Sequence, residues 1–256
     1  MATDRQLLSW LHGRHNDSAL AELISRYGVM VMRTALRITG SERGAEDAGQ
    51  AVFLLVVSRA KRLAGVRCLG DWLYRAATAA AGNWLSGQSR RVRAAAQDPE
   101  SRERTATRLP PGFDPALAGL FITDREAVIV RHLCGMNHRD AASVSGRAAP
   151  RLDARASRGL VRLRKRLSGP GGALSLSALT GMLAAEGTAA RSELPTHQAR
   201  AIVSAVLGET RASVEVLSRE TGRAMLLARF KLIACAVVVA VICLAATAGT
   251  YLLATG

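Results

Sequence analysis

The chain is 256 residues long with a net charge of +15 and an isoelectric point near 11.2, and arginine dominates its basic residues. That balance favours a polyanion as partner, nucleic acid or anionic lipid, while leaving the fold open. Aromatic residues make up 4% and alanine and leucine abound, which predicts helices throughout, with room for two small domains and a tail. Cys68, Cys134, Cys235 and Cys243 form no C-x-x-C pair and read as isolated buried thiols in a reducing compartment. His132 and Cys134 lack a second ligand pair, so zinc is not expected.

The opening stretch MATDRQLLSWLHGRHND is polar and charged and predicts no signal peptide. Asn16 or Asp17 can cap a first long helix whose apolar positions Leu20, Leu23, Ile24, Tyr27, Val31, Ala35 and Ile38 keep helical spacing. Gly40 ends it and Ser41 can cap the next helix, GAEDAGQAVFLLVV. At about 100° per residue, Ala45, Ala48, Val52, Leu55 and Val56 gather on one side of that helix. Glu46, Asp47, Gln50, Phe53 and Leu54 gather on the other. Acids, an amide and two large apolar side chains together suit a protein partner better than water. On this reading, replacing Asp47 and Phe53 spares the helix itself.

A third helix follows in VRCLGDWLYRAATAAAGNWLSGQSRRVR, with a basic end. Residues 1–93 form the first predicted domain, and 94–111 lose periodicity and read as a linker. Residues 112–167 predict helix, turn at Gly135, helix, turn at Gly146, helix, the rhythm of a helix-turn-helix unit. On its last helix Leu152, Ala156, Leu160, Leu163 and Leu167 form a stripe for burial. Arg151, Arg155, Arg158 and Arg162 recur on another face, followed by Arg164, Lys165 and Arg166. Such a row suits phosphate neutralisation, and DNA is preferred over a merely solvated basic face.

SGPGG at 168–172 separates the units. Residues 168–230 predict a weakly amphipathic helical extension, interrupted at Gly187 and Pro195. Leu232 to Leu253 then runs without a charge, long enough to span a hydrocarbon core, within a transmembrane helix placed at 231–254. Arg223, Arg229 and Lys231 precede it, so the N-terminal part is expected on the cytoplasmic side of the inner membrane. No strand alternation, phosphate-binding GxxxxGK[ST] or catalytic triad motif is evident, and neither an enzyme activity nor a cofactor or metal is expected.

Taken together, YGVMVMRTALRITGSERGAEDAGQAVFLLV, GDWLYRAATAAA and a trailing RR resemble the N-terminal conserved domain of bacterial extracytoplasmic-function sigma factors. The unit from Leu109-Pro110 to Leu167 is similar to that family's promoter −35 domain, closing on Leu163-Arg164. The resemblance covers roughly residues 5–167, and the tail resembles a sub-type with a C-terminal extension. It implies an all-α protein with a region 2-like bundle and a region 4-like helix-turn-helix, and core RNA polymerase and promoter DNA as partners. Glu46, Asp47, Gln50, Phe53 and Leu54 would then form the core-binding face, docking on the clamp helices of the polymerase's largest subunit. Apolar anchors would supply affinity and polar groups register.

The resemblance further implies that the helix beginning near Asp71 meets the −10 element, with Trp72 and Leu73 packing. Arg75, Arg90, Arg91 and Arg93 would contact the melted strand, and the loop Val66–Gly70 would wall the pocket for an unstacked base. Arg151, Arg155, Arg158 and Arg162 would contact −35 DNA. The chain departs from the family pattern at Arg147, Pro150-Arg151-Leu152, Asp153, Ala156 and Ala79. Two other readings stay open: a membrane-bound helix-turn-helix regulator acting without polymerase, and a core-binding interaction protein without promoter readout.

Overall fold

A computed structural model describes residues 2–11, 16–95, 109–168, 174–192, 194–207 and 216–225. Among these residues every regular element is helical, as the composition predicts. Helix α1 (Asp4–Trp10) starts in a reciprocal cap: Thr3 accepts from the Gln6 amide while the Gln6 side chain accepts from Thr3. Helix α2 (Asn16–Thr39) stops at Gly40, whose φ of 65° turns the chain. Ser41 then caps α3 (Glu42–Ser58) by accepting from the Gly44 amide. The short α4 (Ala60–Leu63) leads to the long α5 (Leu69–Ala95). Helices α2, α3 and α5 pack pairwise into a bundle.

The second unit starts with α6 (Phe113–Ala118) and α7 (Ile122–Val128), which runs on into a π-helical turn, Ile129–Leu133. Helices α8 (His138–Ser145) and α9 (Ala149–Leu167) follow, turning at Gly135 and Gly146, both at positive φ. The extension contributes α10 (Leu176–Ala190), α11 (Thr196–Leu207) and a further helix, α12, at 216–225.

The two units do not stand apart. One apolar core runs from Leu7 and Tyr27 through Trp72 and Leu73 to Phe113, Leu117 and Leu163. Leu109, at the end of the stretch read as a linker, is buried in it, while 96–108 lie outside the described residues. Ion pairs fasten the seam. Asp114 of α6 receives both Arg37 of α2, at 2.7 and 2.9 Å, and the Tyr74 hydroxyl of α5, at 2.6 Å. Burial opposes the Arg37 charge, but the Asp114 carboxylate outweighs it and holds the guanidinium above its ordinary value. Arg125 of α7 reaches Asp71 of α5 at 2.7 Å, and Arg67 reaches Glu126 at 2.9 Å.

Gly187 does not interrupt the extension; it lies inside α10. A side chain there would come within 2.8 Å of the His132 carbonyl oxygen, and one at Gly135 within 2.2 Å of the Gly187 carbonyl oxygen. Two glycines thus let α10 cross the π-turn backbone to backbone. Pro195 does sit at a break, just before α11. The charge-free run Leu232–Leu253 lies outside the described residues, and among those described no helix is long and apolar enough to cross a membrane.

Candidate functional site

Two surfaces carry the residues singled out above. The first is α3. Its inner stripe is the one that spacing predicts: Ala45, Ala48, Val52, Leu55 and Val56 are all buried. Its outer face is not free. Phe53 has no exposed surface at all, and Glu46, Asp47, Gln50 and Leu54 are half-buried. The extension supplies part of the cover. Helix α11 packs on α3 and more lightly on α2, bringing His197 within 3.9 Å of Glu46. Phe53 lies about 20° from Glu46 around the helix axis, on that same side.

Helix α12 covers the opposite shoulder. Its Leu217 clusters with Ala51 and Trp84, and Arg59 donates to the Gly222 carbonyl at 3.4 Å. Asp47 is tied inward by the Trp84 indole N–H at 3.1 Å. A cleft of about 230 Å³ opens between α5 and α12, lined by Asp47, Asn83, Trp84, Arg90, Leu217 and Glu220 among others. Gln50 and Leu54 fall, by helical position, between the two covering helices.

On α5 the expected −10 contacts divide. Arg90 is exposed, whereas Arg75 is half-buried and paired with Asp71 at 3.1 Å, one helical turn earlier. Asp71 is itself buried, so this arginine balances an interior charge rather than waiting for phosphate. The side chains of Arg91 and Arg93 lie outside the described part of the structure. Trp72 and Leu73 are core residues, as expected. The loop Val66–Gly70 is not an open pocket wall. Cys68, Leu69 and Gly70 are buried, and a side chain at Gly70 would meet Tyr27, Val130 and Cys134. The π-turn of the second unit therefore lies over it, and burial pushes the Cys68 thiol up to about 12.

The second surface is α9. Leu152, Ala156, Leu160 and Leu163 are buried and Leu167 half-buried, matching the predicted stripe. Arg151 and Arg158 are exposed, Arg155 is half-buried, and none of them has an acidic partner among the described residues. Arg162 departs from the row. It pairs with buried Asp124 of α7 and stacks 4.9 Å from the Phe121 ring, so it holds the unit together.

Asp153 also has a structural task. It accepts from Arg131 of the π-turn at 3.0 Å and meets His138 of α8 at 2.7 Å, clasping the helix-turn-helix. Burial would raise its carboxyl, but the hydrogen bonds to His138 and Arg131 prevail and hold it below the usual carboxylate range. Arg147 similarly pairs with Glu126 at 2.9 Å. Two of the departures from the family pattern thus close ion pairs of this chain's own.

Periodicity missed the buried acids Asp71, Glu126 and Glu186 and the half-buried Asp114, which bind the units together. Their only signal is scarcity: 20 acids stand against 35 bases, and no spacing rule names the base each will meet. No group of His, Cys, Asp or Glu among the described residues forms a metal-binding cluster. Comparison of the chain with protein-family models, curated protein sequences and solved structures returns no match. Any functional assignment therefore rests on the residues and geometry above.

Proposed function

We propose that the chain is a sigma factor of the extracytoplasmic-function type, which binds core RNA polymerase and directs it to promoters, with a C-terminal membrane tether. One observation carries this reading. A bundle of α2, α3 and α5 is joined in one chain to a helix-turn-helix whose last helix presents Arg151, Arg155 and Arg158 without acidic partners among the described residues. Cations on one face of a helix can neutralise successive phosphates along a groove. In this reading the chain performs no reaction of its own; it positions polymerase and helps open the duplex. The tether rests on the uncharged run 232–253 alone.

The closed seam has a consequence for this function. With the loop 66–70 under the π-turn and Asp71 of α5 held by Arg125 of the second unit, promoter opening requires the two units to separate. The test is run-off transcription by the full chain in detergent with purified core polymerase, on a library randomised at the −35 and −10 positions. Initiation at a selected subset of templates supports the reading; core binding without any initiation removes it.

A second reading has its own support. A helix-turn-helix regulator acting without polymerase needs only the α9 row, which is open, and not the α3 face, which is covered. Sequence-selective duplex binding by a chain that never binds core would favour it.

A further inference from the structure

We propose that the outer face of α3 is a helix-binding surface that the chain's own extension occupies in cis, so that a helical partner must displace α11 and α12 to reach it. This rests on the reading of α3 as the polymerase-facing helix and adds how that face is controlled.

The occupant has the form of a helical ligand. Ala199, Ile202, Val203 and Val206 of α11 repeat at i, i+3, i+4 and i+7 and pack into the core, with Ile202 1% exposed. That spacing is the usual anchor pattern of a helix laid in a groove. At the start of α11, His197 faces Glu46. A competing partner would therefore be a helix with the same small apolar stripe and a cation near the Glu46–Asp47 end.

The extension is fastened unequally. Glu186 of α10 is buried and accepts two hydrogen bonds from the Arg33 guanidinium, both at 2.7 Å. Together with the Gly135–Gly187 crossing, this anchors α10 firmly. Helix α11 is held by its apolar stripe, and its ion pair, between His197 and Glu46, is long and exposed. Helix α12 rests on the small cluster of Leu217, Ala51 and Trp84, with Met225 alone of its apolar side chains packed partly against the main core. Pro195 marks the joint between the anchored and the lightly held parts. A tethered occupant competes at high effective concentration, and a partner's apparent affinity falls by the fraction of molecules with the face open.

The test compares binding of purified core polymerase by the full chain in detergent for wild type, Ile202→Asp and Leu217→Asp. The two substitutions lie in separate helices, and Leu217 belongs to the smaller cluster, so the bundle tolerates at least one of them. Hydrogen exchange reports whether α11 or α12 has detached while α2 and α5 stay protected. At least a tenfold gain in core affinity on detachment is expected, equivalent to about 1.4 kcal/mol. Equal affinity in wild type and a detached variant overturns the proposal and leaves the sigma reading intact. No core binding by a detached variant removes the sigma reading, and the proposal with it.

Discussion

Helices α3 and α9 are both amphipathic, and the sequence of each predicts one face for the core and one for a partner. The fold treats the two outer faces oppositely. On α9 Arg151, Arg155 and Arg158 stay largely open, because like charges on one face gain nothing from mutual contact and each is costly to bury. On α3 the outer face carries Phe53 and Leu54, apolar area that another helix of the same chain can cover at a gain. A charged partner-face survives folding exposed; an apolar partner-face is taken by whatever helix the chain can bring to it.

The largest effect expected from this contrast is on Phe53. Phe53→Ala should destabilise the fold by about 3–5 kcal/mol, the range for truncating a fully buried phenylalanine. Arg158→Ala should change stability by no more than about 0.5 kcal/mol. Urea unfolding of both variants measures the difference. Equal, small losses would mean that the α3 face is open. This also changes the expectation for Asp47→Ala with Phe53→Ala, which removes core packing as well as a partner contact.

The seam behind the α3 bundle gives the next effect. Asp114→Ala leaves Arg37, whose side chain is 7% exposed, without its carboxylate and Tyr74 without its acceptor. A loss of about 3 kcal/mol is expected, with the first and second units melting separately in calorimetry. A single unchanged transition would show that the apolar core alone joins them.

The crossing of α10 over the π-turn makes a pH-dependent contribution. Burial, with Arg131 beside it, lowers His132 to about 4, against about 6.5 in an unfolded chain. As pH falls from about 6.5 to about 4 the unfolded chain takes up a proton that the fold refuses. Stability is therefore lost through that window, on the order of 2–3 kcal/mol allowing for partial solvation. His132→Gln should flatten the dependence of the melting temperature between pH 4.5 and 7. An unflattened curve would assign the loss to other groups.

The smallest effect on stability, and the most specific to function, lies on α9. Removing Arg151, Arg155 or Arg158 should each shallow the log–log salt dependence of DNA binding by about 0.9. Arg162→Ala should instead destabilise the second unit by about 1 kcal/mol, because it leaves buried Asp124 unpaired. The reverse pattern would exchange the roles of the row and the clasp.

Local rules carried much of this fold. The Gly40–Ser41 boundary, the inner stripe of α3 and the buried stripe of α9 follow from caps and helical period. Three features did not follow. Phe53 lies on the face a helical wheel leaves outside, yet it is fully buried in a bundle on which a distant segment, α11, also packs. Gly187 reads as a break because glycine weakens helices, but its missing side chain is what the π-turn crossing requires. Arg162 is indistinguishable by spacing from Arg158, and Asp124, 38 residues earlier, decides between them. Each depends on a partner far away in sequence, which periodicity does not encode.

The central claim is that α3 meets polymerase only after the extension leaves it. Hydrogen–deuterium exchange of the full chain in detergent, with and without saturating core polymerase, tests this most directly. The account predicts that core binding strips protection from the amides of α11 and α12 while α3 keeps its own and α10 changes least. Core-bound chain in which α11 remains as protected as in the free protein would contradict it.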